Sequence, residues 1–376
     1  MLQRSLLFSL HQQLHATFTT SDAWEIPAHY GDAMAECATV RQAVGLFDLS
    51  HRGAVEVTGA ERASFLHGLT TNDVKRLTAA GGVYAMFLNN QAKILADAYI
   101  VALEAAHWLL LHSASLAAKV LRLLDQYHFG EDVAFTDRTG TWAQFALQGP
   151  RAQTVLEALG APIGSLEDLG HAAWIVADHP ARVIRCSLTG ERGYLLLTDA
   201  MHGAALWQRL LTAGQTHGVR PAGGDALDVL RIEAGIPWYG RDMDETTLQP
   251  ETGLSAAVSE TKGCYVGQEI IARVVSRGHI QRQLAGLRIE GSVVPRSGDR
   301  VCHQDRDAGV ITSAAYSPTL KEPIALAYVQ RSAQAPGALV EIRSQTAVLR
   351  ARVTTLPFVT RSVPGTETDA TSVPKA

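Results

Sequence analysis

Ile324-Ala-Leu-Ala-Tyr-Val329 is apolar at every position, with Pro323 before it and the polar Gln330-Arg331-Ser332 after it. A short apolar run closed by breakers reads as a buried strand. Working outward, Leu284–Ile289, Gly309–Ser313 and Leu339–Arg343 carry the same β-type signal, and Pro and Gly separate them. Helix signals largely vanish after about Gln281. These runs predict a small β-barrel appended to a larger body.

Upstream the pattern is mixed. Leu6 to about Phe18 has the spacing of a short amphipathic helix, broken by Thr19-Thr20-Ser21-Asp22. Gly53–Gly59 alternates as a half-buried strand, and Glu61–Leu69 and Ser115–Tyr127 read as helices. Val83–Leu88 and Ile94–Leu103 predict strands joined by the turn Asn89–Ala92, and Phe145-Ala-Leu leads into the turn Gln148-Gly149-Pro150. Strands and helices go on alternating through Ala181–Thr198 and Met201–His217, without the Gly-rich loop of a dinucleotide fold. The fold class is therefore α+β. The expected organisation is an N-terminal extension over 1–20, a body of two subdomains over 21–280 and the barrel over 281–358. Residues 359–376 are polar and charged, and read as a disordered tail.

At 376 residues the chain exceeds a single core. Apolar residues at 47% and charged residues at 19% describe an ordinary globular protein, and a net charge of −4 gives no global attraction to nucleic acid or anionic lipid. Apolar runs such as Trp108–Leu111 fall far short of the ~20 residues that cross a bilayer. Cys37, Cys186, Cys264 and Cys302 are scattered, with neither disulfide nor zinc spacing, which fits a reducing cytoplasm. Fourteen histidines show no H-x-x-x-H or H-E-x-x-H order, and none is assigned to a metal.

Four segments could carry chemistry. In Lys262-Gly-Cys-Tyr-Val-Gly-Gln-Glu269, two glycines bracket Cys264, and Lys262 could favour its thiolate; a small buried hydrophobe is the alternative. In Ser187-Leu-Thr-Gly-Glu-Arg-Gly-Tyr194, Glu191 could accept paired hydrogen bonds from an amino-pyrimidine ring, or could simply sit in a hairpin loop. Leu230–Glu245 offers Arg231 for a carboxylate, and Asp242, Asp244 and Glu245 as either a cation site or a solvated loop. Asp97 follows the Asn89–Ala92 turn and could orient or protonate a ligand nitrogen if it faces a cavity.

Taken in order, the landmarks resemble the superfamily of glycine cleavage T-proteins and YgfZ-like proteins. They include Tyr30-Gly-Asp32, Arg41, Gly45-Leu-Phe-Asp-Leu-Ser-His51 and Leu69-Thr-Thr-Asn-Asp-Val74. Leu88-Asn-x-Gln91, Leu147-Gln-Gly-Pro150, Thr189-Gly-Glu-x-Gly-Tyr194, Leu230-Arg-x-Glu-Ala-Gly235, Tyr239-Gly240 and Ser317-Pro-Thr-Leu320 continue the series, over roughly residues 20–330. The resemblance implies a three-part, cloverleaf-like fold that binds tetrahydrofolate in its central hole. It implies Glu191 as the pterin carboxylate, with Arg231, Tyr194 and Tyr239 beside the folate.

The octapeptide around Cys264, followed by Arg273 and Arg277-Gly278, is similar to the YgfZ-like branch, whose members support iron-sulfur cluster assembly or repair. The leading expectation is therefore a folate-binding protein serving iron-sulfur assembly or client proteins, with Cys264, Lys262 and Asp97 as working groups. The catalytic branch carries an Asp-Asp doublet where this chain has Ala96-Asp97, and an asparagine where it has Ser113. An aminomethyltransferase that draws on a lipoylated carrier protein is the alternative. A folate-dependent tRNA-modification factor is the second.

Overall fold

The computed structural model describes residues 2–277, 280–344 and 347–360. Most of the expected tail and Gly278 lie outside the described residues.

Near the N-terminus the helix is shorter than its spacing suggests, Phe8–Gln13. The Thr-rich Thr17–Ser21 instead pairs antiparallel with Trp24–His29, around Asp22 and Ala23 at positive φ. Its β-branched threonines suit a pleated surface better than a helix. With Gln3–Arg4 these make a small three-stranded sheet.

A six-stranded sheet runs in the order His171–Val176, His179–Arg185, Gly193–Asp199, Trp142–Gln148, Val44–Asp48, Val219–Pro221. Side chains alternate between its faces. From Trp142–Gln148, Phe145 and Leu147 pack with Trp207 and Leu210 of the helix Gly203–Gly214, whereas Ala146 faces a second core with Leu227 and Leu230 of the helix Gly224–Glu233. The turn after this strand requires glycine. Gly149 has φ +140°, and a Cβ there would lie 2.3 Å from the Ala43 carbonyl oxygen.

A five-stranded sheet follows the order Gly82–Leu88, Ile94–Ala102, Ala106–Leu110, Ala54–Thr58, Ala134–Asp137. Ala96, Ala98 and Ile100 point into a core closed by the helices Arg62–Leu69 and Ala114–Gln126. Period two then puts Asp97, Tyr99 and Val101 on the opposite face, and Val101 joins the core shared with the six-stranded sheet.

His107 on this sheet is buried, and burial beside Arg62 pushes its imidazole down to about 4. It is neutral in the fold at pH 7, but its unfolded counterpart takes up a proton below the ordinary value of 6.5. Stability is therefore expected to fall as pH drops from 6.5 toward 4, by up to about 3 kcal/mol for this group. Urea titrations across that range should show the loss, and His107→Leu should flatten it. An unchanged pH slope in the variant would contradict this account.

The barrel closes through Arg282–Ile289, Glu322–Gln330, Arg306–Ser317, Arg300–His303, Leu339–Arg343 and Val348–Thr354. The uninterrupted apolar run now has a cause. Ala325, Ala327 and Val329 fill the barrel, while Ile324, Leu326 and Tyr328 pack outward against Ile232 of the body. Among the described residues, no helix is long and apolar enough to cross a membrane.

Candidate functional site

The two large sheets and the start of Gly224–Glu233 enclose a cavity of about 400 Å³. Its wall includes His51 and Arg52 just beyond the strand Val44–Asp48, and His112 just beyond Ala106–Leu110. Asp228 of the helix and the loop Trp238–Arg241 complete it. The hairpin tip at Thr19–Asp22 borders the opening.

Behind His112 stands Asp97, fully buried. Its Oδ2 accepts a hydrogen bond from the Tyr84 hydroxyl at 2.6 Å, and His112 Nδ1 lies 3.2 Å from that oxygen and 3.3 Å from Oδ1. Burial pushes the carboxyl up. The imidazole charge and the hydrogen bonds from His112 and Tyr84 outweigh it and hold Asp97 below the ordinary value. Burial and the neighbouring carboxylate push Tyr84 far up, so it stays a donor.

Arg52 is buried with its guanidinium carbon 5.1 Å from the Trp238 ring centroid. Desolvation pushes it down to about 10, which leaves it a cation at neutral pH. His51 beside it is pushed down to about 4 by burial and by that cation, and is neutral. Three buried atoms of this wall, Arg52 Nε, His112 Nε2 and Trp238 Nε1, have no hydrogen-bond partner among the described residues. Buried polar atoms left unpaired cost about 1–3 kcal/mol each, and all three belong to residues of this one cavity wall.

Of the residues singled out in the sequence, Tyr239 lines the cavity and accepts a hydrogen bond from Lys119 Nζ at 2.6 Å. Arg231 lies behind the wall. Its guanidinium pairs with Asp242, meets Asp228 at 2.8 Å, donates to the Ser313 hydroxyl at 2.6 Å and sits 5.0 Å from the Trp238 centroid. Asp242 is buried in this network and is not part of a solvated loop; Glu245 pairs with Lys119, and Asp244 accepts from Thr246. Among the described residues no group of three carboxylate, His or Cys side chains could hold a metal. Glu191 accepts from Arg41 at 2.9 Å, and Arg41 also donates to the buried Glu233 at 3.1 Å. Tyr194 belongs to the core of the six-stranded sheet.

The segment around Cys264 departs from its expected chemistry. Lys262 does not serve the thiol, because its ammonium donates to the carbonyls of His67, Thr70 and Asn72, which takes all three of its N–H groups. Cys264 itself is exposed, not a buried hydrophobe. Gly267 is required by packing: at φ +84°, a Cβ would lie 2.7 Å from the Asn89 carbonyl oxygen. Gly267 seats this segment on the Asn89–Ala92 turn, while a Cβ at Gly263 would meet nothing within 4 Å.

Arg52, His112 and Trp238 were not identified from the sequence. Arg52 directly follows the Gly45–His51 landmark and His112 directly precedes Ser113, so both flank recognised positions, but their convergence is tertiary.

Comparison with known proteins decides the family. Residues 7–262 match the model of the GCVT N-terminal domain, and residues 282–360 match that of the glycine cleavage T-protein C-terminal barrel domain. The chain belongs to the glycine cleavage T-protein family. Its relatives include the aminomethyltransferase of Streptomyces coelicolor, 36% identical over 89% of this chain and 91% of that protein. That of Symbiobacterium thermophilum is 33% identical over 95% and 97%. The crystal structure of glycine cleavage system aminomethyltransferase T from Bartonella henselae superposes with a TM-score of 0.87 at 26% identity, covering 96% of this chain and 99% of that one.

These findings bear out the α+β T-protein fold with its C-terminal barrel and correct the leading functional expectation. Relatives of nearly full coverage are aminomethyltransferases, so the YgfZ-like, iron-sulfur reading is overturned. The octapeptide that prompted it lies mostly in 263–281, between the two matched domains of this T-protein family member.

Proposed function

We propose that this chain is an aminomethyltransferase. In this reading a lipoylated carrier protein delivers an aminomethyl group, tetrahydrofolate receives the methylene and ammonia leaves. The carrying observation is the set of aminomethyltransferase relatives matched along nearly the whole chain, at 36% and 33% identity. The cavity supports it: about 400 Å³ falls within the usual range for a small-molecule site, and its wall mixes aromatic and polar residues.

Tetrahydrofolate supplies the two nitrogens that take the methylene. Trp238 and Tyr239 offer it aromatic faces and Arg52 a buried cation. Arg231 acts from behind, fixing the Trp238 loop through Asp242, whose Oδ2 also accepts from the Trp238 N–H at 3.0 Å. Glu191 acts at a distance by anchoring Arg41. Asp97 holds His112 at the wall and keeps a negative charge behind it. As two N–C bonds form on tetrahydrofolate, the C–N and C–S bonds of the carried group break. The two protons lost from the folate nitrogens end on ammonia and on the released thiol.

The test is ammonia release from an aminomethylated lipoyl carrier with tetrahydrofolate present. Turnover of roughly 1 s⁻¹ or faster is expected. Release no faster than in protein-free controls would reject the proposal.

A further inference from the structure

We infer that Arg52 makes the cavity an anion site and that the group it receives is a carboxylate; which carboxylate this is rests on the transferase reading. Three guanidiniums surround the Trp238 ring, with Arg231, Arg52 and Arg241 at 5.0, 5.1 and 5.6 Å from its centroid. Two of them have acids. Arg231 pairs with Asp242 and Asp228, and Arg241 pairs with Asp228 at 2.7 Å. Arg52 is only 6% exposed, and its guanidinium has neither an ion-pair nor a hydrogen-bond partner among the described residues.

The acids around the cavity are engaged elsewhere. Asp228 serves the other two arginines, Asp48 meets His11 at 2.8 Å and the Ser50 N–H at 2.9 Å, and Asp22 accepts from Ser113. Asp225 is exposed on the first turn of Gly224–Glu233. Asp97 favours the charge on Arg52 through space, but its oxygens are taken by Tyr84 and His112. His51 beside it is neutral and supplies no negative charge.

An uncompensated buried charge is costly to a fold. Nε of Arg52 is closed off from solvent, so its terminal N–H₂ groups are the ones that reach the cavity. A carboxylate there would compensate the charge through two parallel hydrogen bonds, the pairing that a planar guanidinium favours. Gly223 and Gly224 line the same cavity at a helix start that no side chain caps, which adds partial positive charge. Of the proposed substrates, tetrahydrofolate alone brings carboxylates, on its glutamate. The aminomethyl nitrogen on the lipoyl arm takes up a proton and brings a cation. A separate small carboxylic acid is the other source of the same chemistry.

The experiment is calorimetry on the full chain and on Arg52→Met, with three probes: tetrahydrofolate, its diamide in which both glutamyl carboxylates are carboxamides, and acetate. The wild type should bind tetrahydrofolate about 10–100-fold more tightly than the diamide, the usual worth of a hydrogen-bonded charge, and Arg52→Met should bind both as weakly as the wild type binds the diamide. That result assigns the site to the glutamyl tail. Equal binding of the two folates, with acetate binding that Arg52→Met abolishes, assigns it to a separate acid. Without ligand the variant should melt at least as high as the wild type, because the change removes an uncompensated charge. A variant that binds all three probes as the wild type does overturns the inference. So does a ligand-free variant that melts several degrees lower or fails to fold, since Arg52 then serves the fold. If the wild type shows the Arg52-dependent binding but releases no ammonia, the transferase reading fails and the anion site stands.

Discussion

Replacing Asp97 by Asn is expected to lower kcat for ammonia release by about 100-fold or more, while the chain folds and binds tetrahydrofolate nearly as the wild type does. Asp97 is buried between two donors, the Tyr84 hydroxyl at 2.6 Å and His112 Nδ1 at 3.2–3.3 Å. An amide can accept from one of them but turns its own N–H₂ toward the other. Whichever donor is lost, one of the hydrogen bonds that fix Tyr84 and His112 at this carboxylate disappears, and so does its negative charge. Burial is preserved and the volume barely changes, so stability should move far less than rate. A variant with wild-type kcat would show that the buried carboxylate serves only the fold.

Replacing Arg231 by Met is expected to lower the free energy of unfolding by about 3–5 kcal/mol, the usual cost of stripping one partner from a buried ion pair. Arg231 and Asp242 are both fully or nearly fully buried. Arg231 reaches Ser313 and Asp242 accepts from Thr312 at 2.6 Å, so the network ties the last turn of Gly224–Glu233 to the barrel. Without the guanidinium, the buried Asp242 carboxylate is left, among the described residues, with the Trp238 backbone N–H and the Thr312 hydroxyl as partners. Adding Asp242→Asn to the same chain removes that charge and should restore a good part of the loss. Urea unfolding of the single and double variants checks both statements. A single variant within about 1 kcal/mol of the wild type would place the pair among interactions of little consequence.

Much of the fold is legible because burial leaves a periodic trace. The strands around Asn89–Ala92 appear as Gly82–Leu88 and Ile94–Ala102, and the helix expected over Ser115–Tyr127 appears as Ala114–Gln126. Leu339–Arg343 matches its expected ends. Elements shaped by their neighbours leave weaker marks. Val219–Pro221 is a three-residue edge strand held by parallel pairing to Val44–Asp48, too short for any periodicity. Thr17–Ser21 is decided by its partner strand.

The candidate site was legible in kind more than in contact. Asp97 and Tyr239 stand out by local pattern, and both stand at or directly behind the cavity wall. Lys262 and Cys264 also stand out by pattern, yet tertiary packing gives the lysine to three carbonyls and leaves the thiol exposed. Arg52, His112 and Trp238 come from three separate stretches, and only the folded chain brings them to one cavity. The octapeptide weighed toward one branch of the superfamily, whereas similarity along the whole chain favours the other.

The most direct measurement follows the carbon itself. A lipoyl carrier bearing heavy carbon in its aminomethyl group is mixed with the full chain and tetrahydrofolate, and both the folate and the ammonia are recovered. The account requires the label to appear in a methylene-bridged folate, one for each ammonia released, and only when chain, carrier and tetrahydrofolate are all present. Label that stays on the carrier while tetrahydrofolate is bound would contradict it.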